Sequence, residues 1–275
     1  MRLRFALNHM VAPRASAEAL FGMAAELGLD AVEIRNDLAA TAIADGTDAA
    51  VIRAGAAKHG VRILSINALQ RFNDWTSERA AEAQALADYA AASGAESLVL
   101  CPVNDWRFRP GERARLDGLR RALSELGAIL RGRGIIGLVE PLGFAECSLR
   151  SKREAVEAID ATGGGETFRL VHDTFHHALA GESAVFPERT GLVHISGVEE
   201  NDLPFSGMRD RHRVLVGQHD RLDNVGQIRG LIKGGYSGFF SFEPFAESVH
   251  ALAEVHSALR QSAAYLSDDL ESEAA

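Results

Sequence analysis

The 275-residue sequence has only two cysteines, Cys101 and Cys147, which is too few for a framework of disulfide bonds. It has no run of about 18 uninterrupted apolar residues, the length that a membrane-spanning helix requires. Its first residues, MRLRFALNHM, show neither the apolar segment nor the small-residue cleavage site of a signal peptide. From these absences we expect a cytoplasmic protein without a membrane partner.

Positive charge is scarce: 29 Lys and Arg residues stand against 38 Asp and Glu residues, and the formal net charge is −9 at pH 7. A nucleic-acid-binding protein gains affinity by neutralising phosphates, so this balance disfavours such a partner. The sequence also lacks a dense patch of Lys and Arg with interleaved aromatic residues. With 47% hydrophobic residues, the composition fits a globular protein with a sizeable core.

The turn after the first predicted strand, LNHMVAPRAS, contains no glycine. A doubly wound open sheet would place a glycine-rich turn at this point, so the sequence disfavours that fold. No linker divides the chain, which predicts one domain over residues 1–266. The remaining residues, 267–275, form the acidic segment SDDLESEAA, which we expect to be disordered.

A repeated pattern of helix, glycine and apolar strand runs through the chain. Five glycines stand where a helix would need a left-handed terminating residue: Gly28, Gly60, Gly94, Gly134 and Gly235. Eight apolar runs can be counted, namely RLRFALN, AVEIR, RILSINA, SLVLCP, IGLVEP, RLVHD, LVHIS and FFSFEP. Helical periodicity separates most of these runs, for example in the leucines from Leu116 to Leu130. The alternation predicts an α/β fold, a (β/α)8 TIM barrel of parallel strands.

Four consecutive predicted strands each end in a side chain that could bind a divalent cation: Glu140, Asp173, His194 and Glu243. Active sites of such barrels lie at the carboxyl ends of the strands, and alternate residues of a strand share a face. A single glutamate at a strand end is most often solvated or paired with an arginine, but four matching positions in series favour a metal centre. Three carboxylates and one imidazole suit Mn²⁺, Zn²⁺, Co²⁺ or Mg²⁺.

The segment LVHDTFHHAL places three histidines beside Asp173. His172 has the opposite strand parity from Asp173, so we expect it to face the outer helices in a structural role. His176 follows Asp173 by three residues and could reach the site, whereas His177 is expected to be structural.

Several motifs resemble those of a known family. They are VEIR and INAL in the first half, and VEPLGFAECSL, LVHDTFHHAL, VHISGVEENDLP, RVLVGQ and FSFEPF in the second. Over about residues 3–266 the chain resembles the xylose-isomerase-like TIM barrels, and among them most resembles the inosose (2-keto-myo-inositol) isomerases. The resemblance implies the same four metal ligands, a place for His176 in the site wall, and contacts of Arg213 with substrate oxygens. Two positions depart from it, because His219 replaces a small residue and His9 replaces an acidic one.

The resemblance implies a divalent-metal-dependent isomerase or epimerase of a sugar or keto-inositol, with a role in carbohydrate metabolism and inositol catabolism. Glu140 and Glu243 would transfer a proton through a metal-stabilised enediolate. Asn67, His176 and Arg213 would orient the hydroxyls of a small polyol or keto-sugar substrate. We also expect a homo-oligomer.

Two features near the predicted site leave alternatives open. The aromatic residues Phe72, Trp75 and Trp106 either form an apolar wall against a sugar ring or pack the loops. Arg71 and Arg107 could bind a phosphate, but the absence of a glycine-rich phosphate cradle favours an unphosphorylated substrate.

Three other functions compete with the isomerase. A dehydratase (lyase) of a keto-inositol or keto acid would use the same metal and enolate chemistry and then lose water. A DNA-repair endonuclease of the same barrel would need several zinc ions and more histidine ligands than these strand ends provide. A non-catalytic sugar-binding barrel is disfavoured by the intact set of ligands.

Overall fold

Eight parallel strands alternate with helices in the computed structural model, which describes residues 3–38, 43 and 46–272. Each strand pairs with the next one along the chain, and the last pairs with the first, so the sheet closes into a barrel. The strands are β1 Arg4–Asn8, β2 Ala31–Arg35, β3 Arg62–Gln70, β4 Ser97–Cys101, β5 Ile136–Val139, β6 Phe168–Asp173, β7 Thr190–Ile195 and β8 Phe239–Phe242. The predicted (β/α)8 fold is confirmed.

The helices surround this barrel, and their ends follow local chemistry. They are α1 Ala17–Glu26, α2 Ala49–His59, α3 Ser77–Ser93, α4 Glu112–Arg131, α5 Lys152–Ala161, α6 Thr174–Ala180, α7 Asn224–Lys233, α8 Glu247–His250 and α9 Val255–Ser272. The five glycines predicted to end helices all have positive φ, between 67° and 94°, which a side chain would disfavour. Within the described residues, no helix is both long and apolar enough to cross a membrane.

Strand parity divides the apolar residues into two layers. Leu138 and Leu192 belong to a small cluster inside the barrel, whereas their neighbours Val139 and Val193 belong to the larger cluster between strands and helices. Side chains two residues further along β5 and β7 therefore point into the barrel mouth, as predicted.

Several element boundaries in the structure differ from the predicted ones. α9 continues through Ser272, so residues 267–272 of the segment expected to be disordered are helical; residues 273–275 lie outside the described part. The helix persists because Leu266 and Leu270, one turn apart, pack against the core. Arg2, the predicted first residue of β1, also lies outside the described residues, and β3 runs two residues beyond its predicted end at Ala68.

Candidate metal centre

The four predicted ligands meet at the C-terminal mouth of the barrel. Glu140, Asp173, His194 and Glu243 each offer one ligand atom, and these atoms all lie within 4.8 Å of one another. Glu140 and Glu243 directly follow β5 and β8, where their amides still hydrogen-bond to the carbonyls of Leu100 and Ile195 at 3.1 and 3.0 Å. The sheet ladder thus fixes the backbone beneath both carboxylates.

The distances within the cluster suit a single small cation. Nδ1 of His194 lies 3.3 Å from Oε1 of Glu140, 3.3 Å from Oε2 of Glu243 and 3.9 Å from Oδ2 of Asp173. Ligands bound to one cation at about 2.0–2.2 Å stand up to about 4.4 Å apart. A small contraction would therefore bring all four atoms onto a shared ion.

The second nitrogen of His194 is held by a carboxylate that the sequence reasoning missed. Nε2 of His194 lies 3.1 Å from Oε2 of Glu33, which also accepts hydrogen bonds from Ser65 Oγ at 2.6 Å and Asn67 Nδ2 at 2.8 Å. Burial opposes ionisation of Glu33, but the nearby His194 outweighs it and lowers the Glu33 pKa to about 2. Because an ionised carboxylate only accepts, Nε2 carries the hydrogen and Nδ1 is left for a cation.

Two buried arginines bind the same carboxylates. Arg213 Nη2 donates to Oδ2 of Asp173 at 2.6 Å and to Oε2 of Glu243 at 2.9 Å. Arg35, which was not predicted as a site residue, donates from Nη1 to Oε1 of Glu243 at 2.8 Å. Burial opposes ionisation of Glu243, but His194 and Arg213 hold its pKa well below the usual range. Glu243 is therefore fixed as an anion.

The charges of this buried cluster do not balance without a cation. Glu33, Glu140, Asp173 and Glu243 bring four negative charges, and Arg35 and Arg213 bring two positive ones, which leaves two negative charges. Burial opposes a proton on His194, yet Glu243 and Glu33 raise its pKa well above the usual value. Without a cation, His194 therefore holds a second proton at Nδ1, which offsets one of the two negative charges and which a cation would displace. Unbalanced buried charge is costly, so the donor set and its charge both fit a divalent cation.

Comparison with known proteins places the chain in a family. Residues 21–268 match the model of a family described as the xylose isomerase-like TIM barrel. The chain belongs to this family. It is 25% identical over 203 residues to an inosose isomerase of Bacillus velezensis, with 70% of this chain and 71% of the relative covered.

Solved structures of similar proteins share the whole barrel. A xylose isomerase domain-containing protein of Salmonella typhimurium LT2 superposes with a TM-score of 0.89 and 33% identity, covering 97% of this chain and 99% of that one. The IolI protein with a bound zinc atom superposes with a TM-score of 0.84 and 20% identity, covering 98% and 99% of the two chains.

The residues predicted to bind substrate surround the centre of this xylose isomerase-like barrel. His176 is buried beside Asp173, accepts a hydrogen bond at Nδ1 from the Gly143 amide at 3.2 Å, and packs its ring edge-on against Phe144. Its Nε2 has no hydrogen-bond partner among the described residues. Asn67 lies behind the ligands, where its Nδ2 holds Glu33. The substrate roles of Asn67, His176 and Arg213 remain predictions.

The histidines expected to be structural lie outside the barrel. His172 donates from Nε2 to Gln227 Oε1 at 2.8 Å and accepts at Nδ1 from Lys152 Nζ at 3.2 Å. His177 turns its Nδ1 to the same amine. His9 is also buried and hydrogen-bonds through Nε2 to the Ala15 carbonyl at 3.0 Å, whereas His219 is exposed.

Of the two alternatives for the aromatic residues, the structure favours packing of loops over a wall against a sugar ring for Phe72 and Trp75. Phe72 is fully buried in the outer core, and Trp75 packs against the same cluster, so both pack loops. Trp106 is 56% exposed, with the Arg109 guanidinium 4.7 Å from its ring centre.

The arginines considered for phosphate binding pair with carboxylates. Arg71 pairs with Asp74 at 2.8 Å, and Arg107 pairs with Asp105 at 3.1 Å. Neither guanidinium therefore stands unpaired for a phosphate.

Proposed function

We propose that this protein is a divalent-metal-dependent isomerase that moves the carbonyl group of a keto-inositol or ketose, or inverts the carbon beside it. The convergence of Glu140, Asp173, His194 and Glu243 in a buried cluster with an excess of negative charge carries this proposal. The family and the inosose isomerase relative support the reaction class and a place in inositol catabolism.

The cation would be held by these four side chains, and its donor set suits Mn²⁺, Zn²⁺, Co²⁺ or Mg²⁺. When bound, it supplies a Lewis acid that polarises the substrate carbonyl and offsets negative charge on the substrate oxygens. Glu33 would keep Nδ1 of His194 free for this purpose.

The chain's own carboxylates would move the proton. One of Glu140 and Glu243 takes the proton from the carbon beside the carbonyl, and a second group returns it to the neighbouring carbon or the opposite face. Glu243 is held by two guanidinium groups. The hydrogen-bond partners of the Glu140 carboxylate within the described residues are His194 and, at 3.4 Å, the Cys101 thiol. Both carboxylates are almost fully buried, so the proton transfer would take place in a site with little water.

Three polar side chains would orient a neutral polyol. Arg213, His176 and Asn67 border or support the ligand cluster and offer hydrogen-bonding groups of different character. A neutral sugar depends on such directional contacts more than on net charge.

Replacement of Glu243 tests this function. We expect Glu243→Gln to slow exchange of the substrate α-hydrogen with deuterated water by about 10²- to 10⁴-fold, the effect typical of losing a general acid or base. Exchange is measured with inososes and ketoses, and bound metal is quantified in the same samples. The control is Glu188→Gln, which changes an exposed glutamate.

Normal exchange in Glu243→Gln with metal still bound would refute the role of Glu243. A dehydrated product from the unmodified protein would reassign the site to a lyase.

A further inference from the structure

The barrel has a pocket at its N-terminal mouth, at the opposite end from the proposed metal centre. Its volume is about 300 Å³, and its lining includes the first residues of β1, β3, β4, β5 and β8. The floor is formed by the apolar inner cluster, through Leu64, Leu138, Leu192 and Phe239. A pocket of this size with an apolar floor matches the lower end of small-molecule sites.

Three guanidinium groups stand around this floor, and their pairing differs. Arg4 lies 3.7 Å from Asp30, and Arg62 makes two 2.8 Å hydrogen bonds to Glu96. Arg169 has no carboxylate within ion-pair distance among the described residues; its Nη1 donates to the backbone carbonyls of Phe168, at 2.9 Å, and Gly165. Its Nε and Nη2 have no hydrogen-bond partner in this part of the chain.

A glycine in β7 shapes the pocket beside Arg169. A Cβ atom at Gly191 would lie 2.7 Å from Leu138 Cδ2 and 2.8 Å from Arg169 Cβ, closer than real Cβ contacts allow. The stem of Arg169 thus lies directly over the strand, next to the apolar floor. Arg4 and Arg62 flank the opposite side, where their guanidinium groups lie 3.9 and 5.3 Å from the ring centre of Phe239.

These contacts distinguish a binding pocket from a simple polar cap on the barrel. A polar cap would cover the apolar end of the barrel with paired charges, as Arg4 and Arg62 do, and would leave no empty volume above the apolar floor. The pocket instead combines unfilled apolar volume with Arg169, whose positive charge has no carboxylate partner in the part of the chain that the structure describes. Its chemistry is complementary to a molecule with one negative charge and an apolar body.

The geometry points to a binding site for a small organic carboxylate, separate from the metal centre. The carboxylate accepts hydrogen bonds from Nε and Nη2 of Arg169, in the two-pronged arrangement that a guanidinium favours. The apolar body of the ligand lies on Leu138, Leu192 and Phe239. This inference does not depend on the reaction at the opposite mouth.

The test uses hexanoate as the probe and hexan-1-ol as its neutral analogue, with binding to the metal-loaded protein measured by calorimetry. We expect hexanoate to bind more tightly than hexan-1-ol. Arg169→Gln should weaken hexanoate about 10- to 100-fold, the effect of losing a charged hydrogen bond, and leave hexan-1-ol unchanged. The matched control is Arg107→Gln, which removes an exposed arginine outside the pocket.

A second measurement needs no variant and separates this pocket from the metal centre. Crystals of the unmodified protein soaked in 6-bromohexanoate should show anomalous bromine density at the N-terminal mouth. Equal binding of hexanoate and hexan-1-ol, unchanged hexanoate affinity in a folded Arg169→Gln, or bromine only at the metal centre would overturn the inference.

Discussion

Glu33 illustrates how one buried residue can set the chemistry of another. Its Oε2 faces Nε2 of His194 and is itself held by Ser65 and Asn67, so it accepts a hydrogen bond and does not rotate freely. The orientation of the imidazole, and the nitrogen that it presents to the barrel mouth, therefore depend on a side chain that is not a ligand.

Replacing Glu33 by Gln should weaken metal binding about 10- to 100-fold, as is usual when the partner of a metal-bound histidine is changed. The amide keeps the shape of the side chain but removes its charge and adds a donor where Asn8 and Asn67 already donate. Metal affinity is measured by competition with a chelating dye, with Glu125→Gln on the exposed face of α4 as the control. Equal affinities in the two variants would show that Glu33 does not act through His194.

The meeting of the four proposed ligands was predictable because each stands at a strand end with inward parity. Glu33 and Arg35 share the parity of the inward-facing Ala31, so the sequence AVEIR alone could have predicted that both charged side chains point into the barrel. What the sequence could not show is which partner each would meet across the barrel. Those contacts join residues that are far apart in the sequence, such as Arg35 and Glu243, which are separated by 208 positions.

The buried amine of Lys152 connects helix α5 to helix α6, which begins beside the proposed metal centre. Lys152, the first residue of α5, directs Nζ to the Nδ1 atoms of His172 and His177. α6 begins directly after Asp173, whose carboxylate caps it by accepting from the His176 amide at 2.9 Å. The amine therefore packs against the helix that positions one of the four ligands.

Lys152 predicts a particular dependence of stability on pH. Burial lowers its pKa from 10.5 to about 7 in the folded protein. Between these values the unfolded chain binds a proton that the folded chain does not, so this group makes the free energy of unfolding rise with pH across that window. Lys152→Met should flatten the rise, and Lys58→Met, at an exposed lysine, should not.

The measurement is urea denaturation of the three proteins at intervals from pH 7 to pH 10. If the free energy of unfolding changed with pH in the same way for Lys152→Met and the unmodified protein, the lowered pKa of Lys152 would be contradicted. The two buried histidines do not confuse the result, because burial lowers their pKa values and they titrate below this window.

The ends of helices were predictable where the conformational preference of a single residue determines them. Five glycines ended helices as predicted, because positive φ excludes most other residues. The end of α9 was not predictable from its acidic composition, since its stability comes from Leu266 and Leu270 packing on the core.

At the scale of the whole molecule, closure of the barrel is what creates the site. Strands β5 to β8 are consecutive, so their carboxyl ends share one edge of the sheet, and closure curves that edge into a mouth where their side chains converge. Closure also confines four carboxylates in a small buried volume, so folding and binding of the proposed cation would be coupled.

Chelation should therefore destabilise the fold. At a free metal concentration about 100 times the dissociation constant, binding contributes about 2.7 kcal/mol, which corresponds to a fall of roughly 5–10 °C in Tm when EDTA removes the metal. The Tm of Asp173→Asn, which binds the cation less tightly, should respond less to EDTA. An unchanged Tm of the unmodified protein after verified metal removal would contradict the coupling.

The most direct test of the account is anomalous diffraction from crystals loaded with Mn²⁺, Co²⁺ or Zn²⁺. We predict one strong peak per chain at the C-terminal mouth, about 2.0–2.2 Å from atoms of Glu140, Asp173, His194 and Glu243. Absence of the peak, or a cation bound elsewhere with these four side chains turned away, would contradict the proposed centre and the isomerase chemistry built on it.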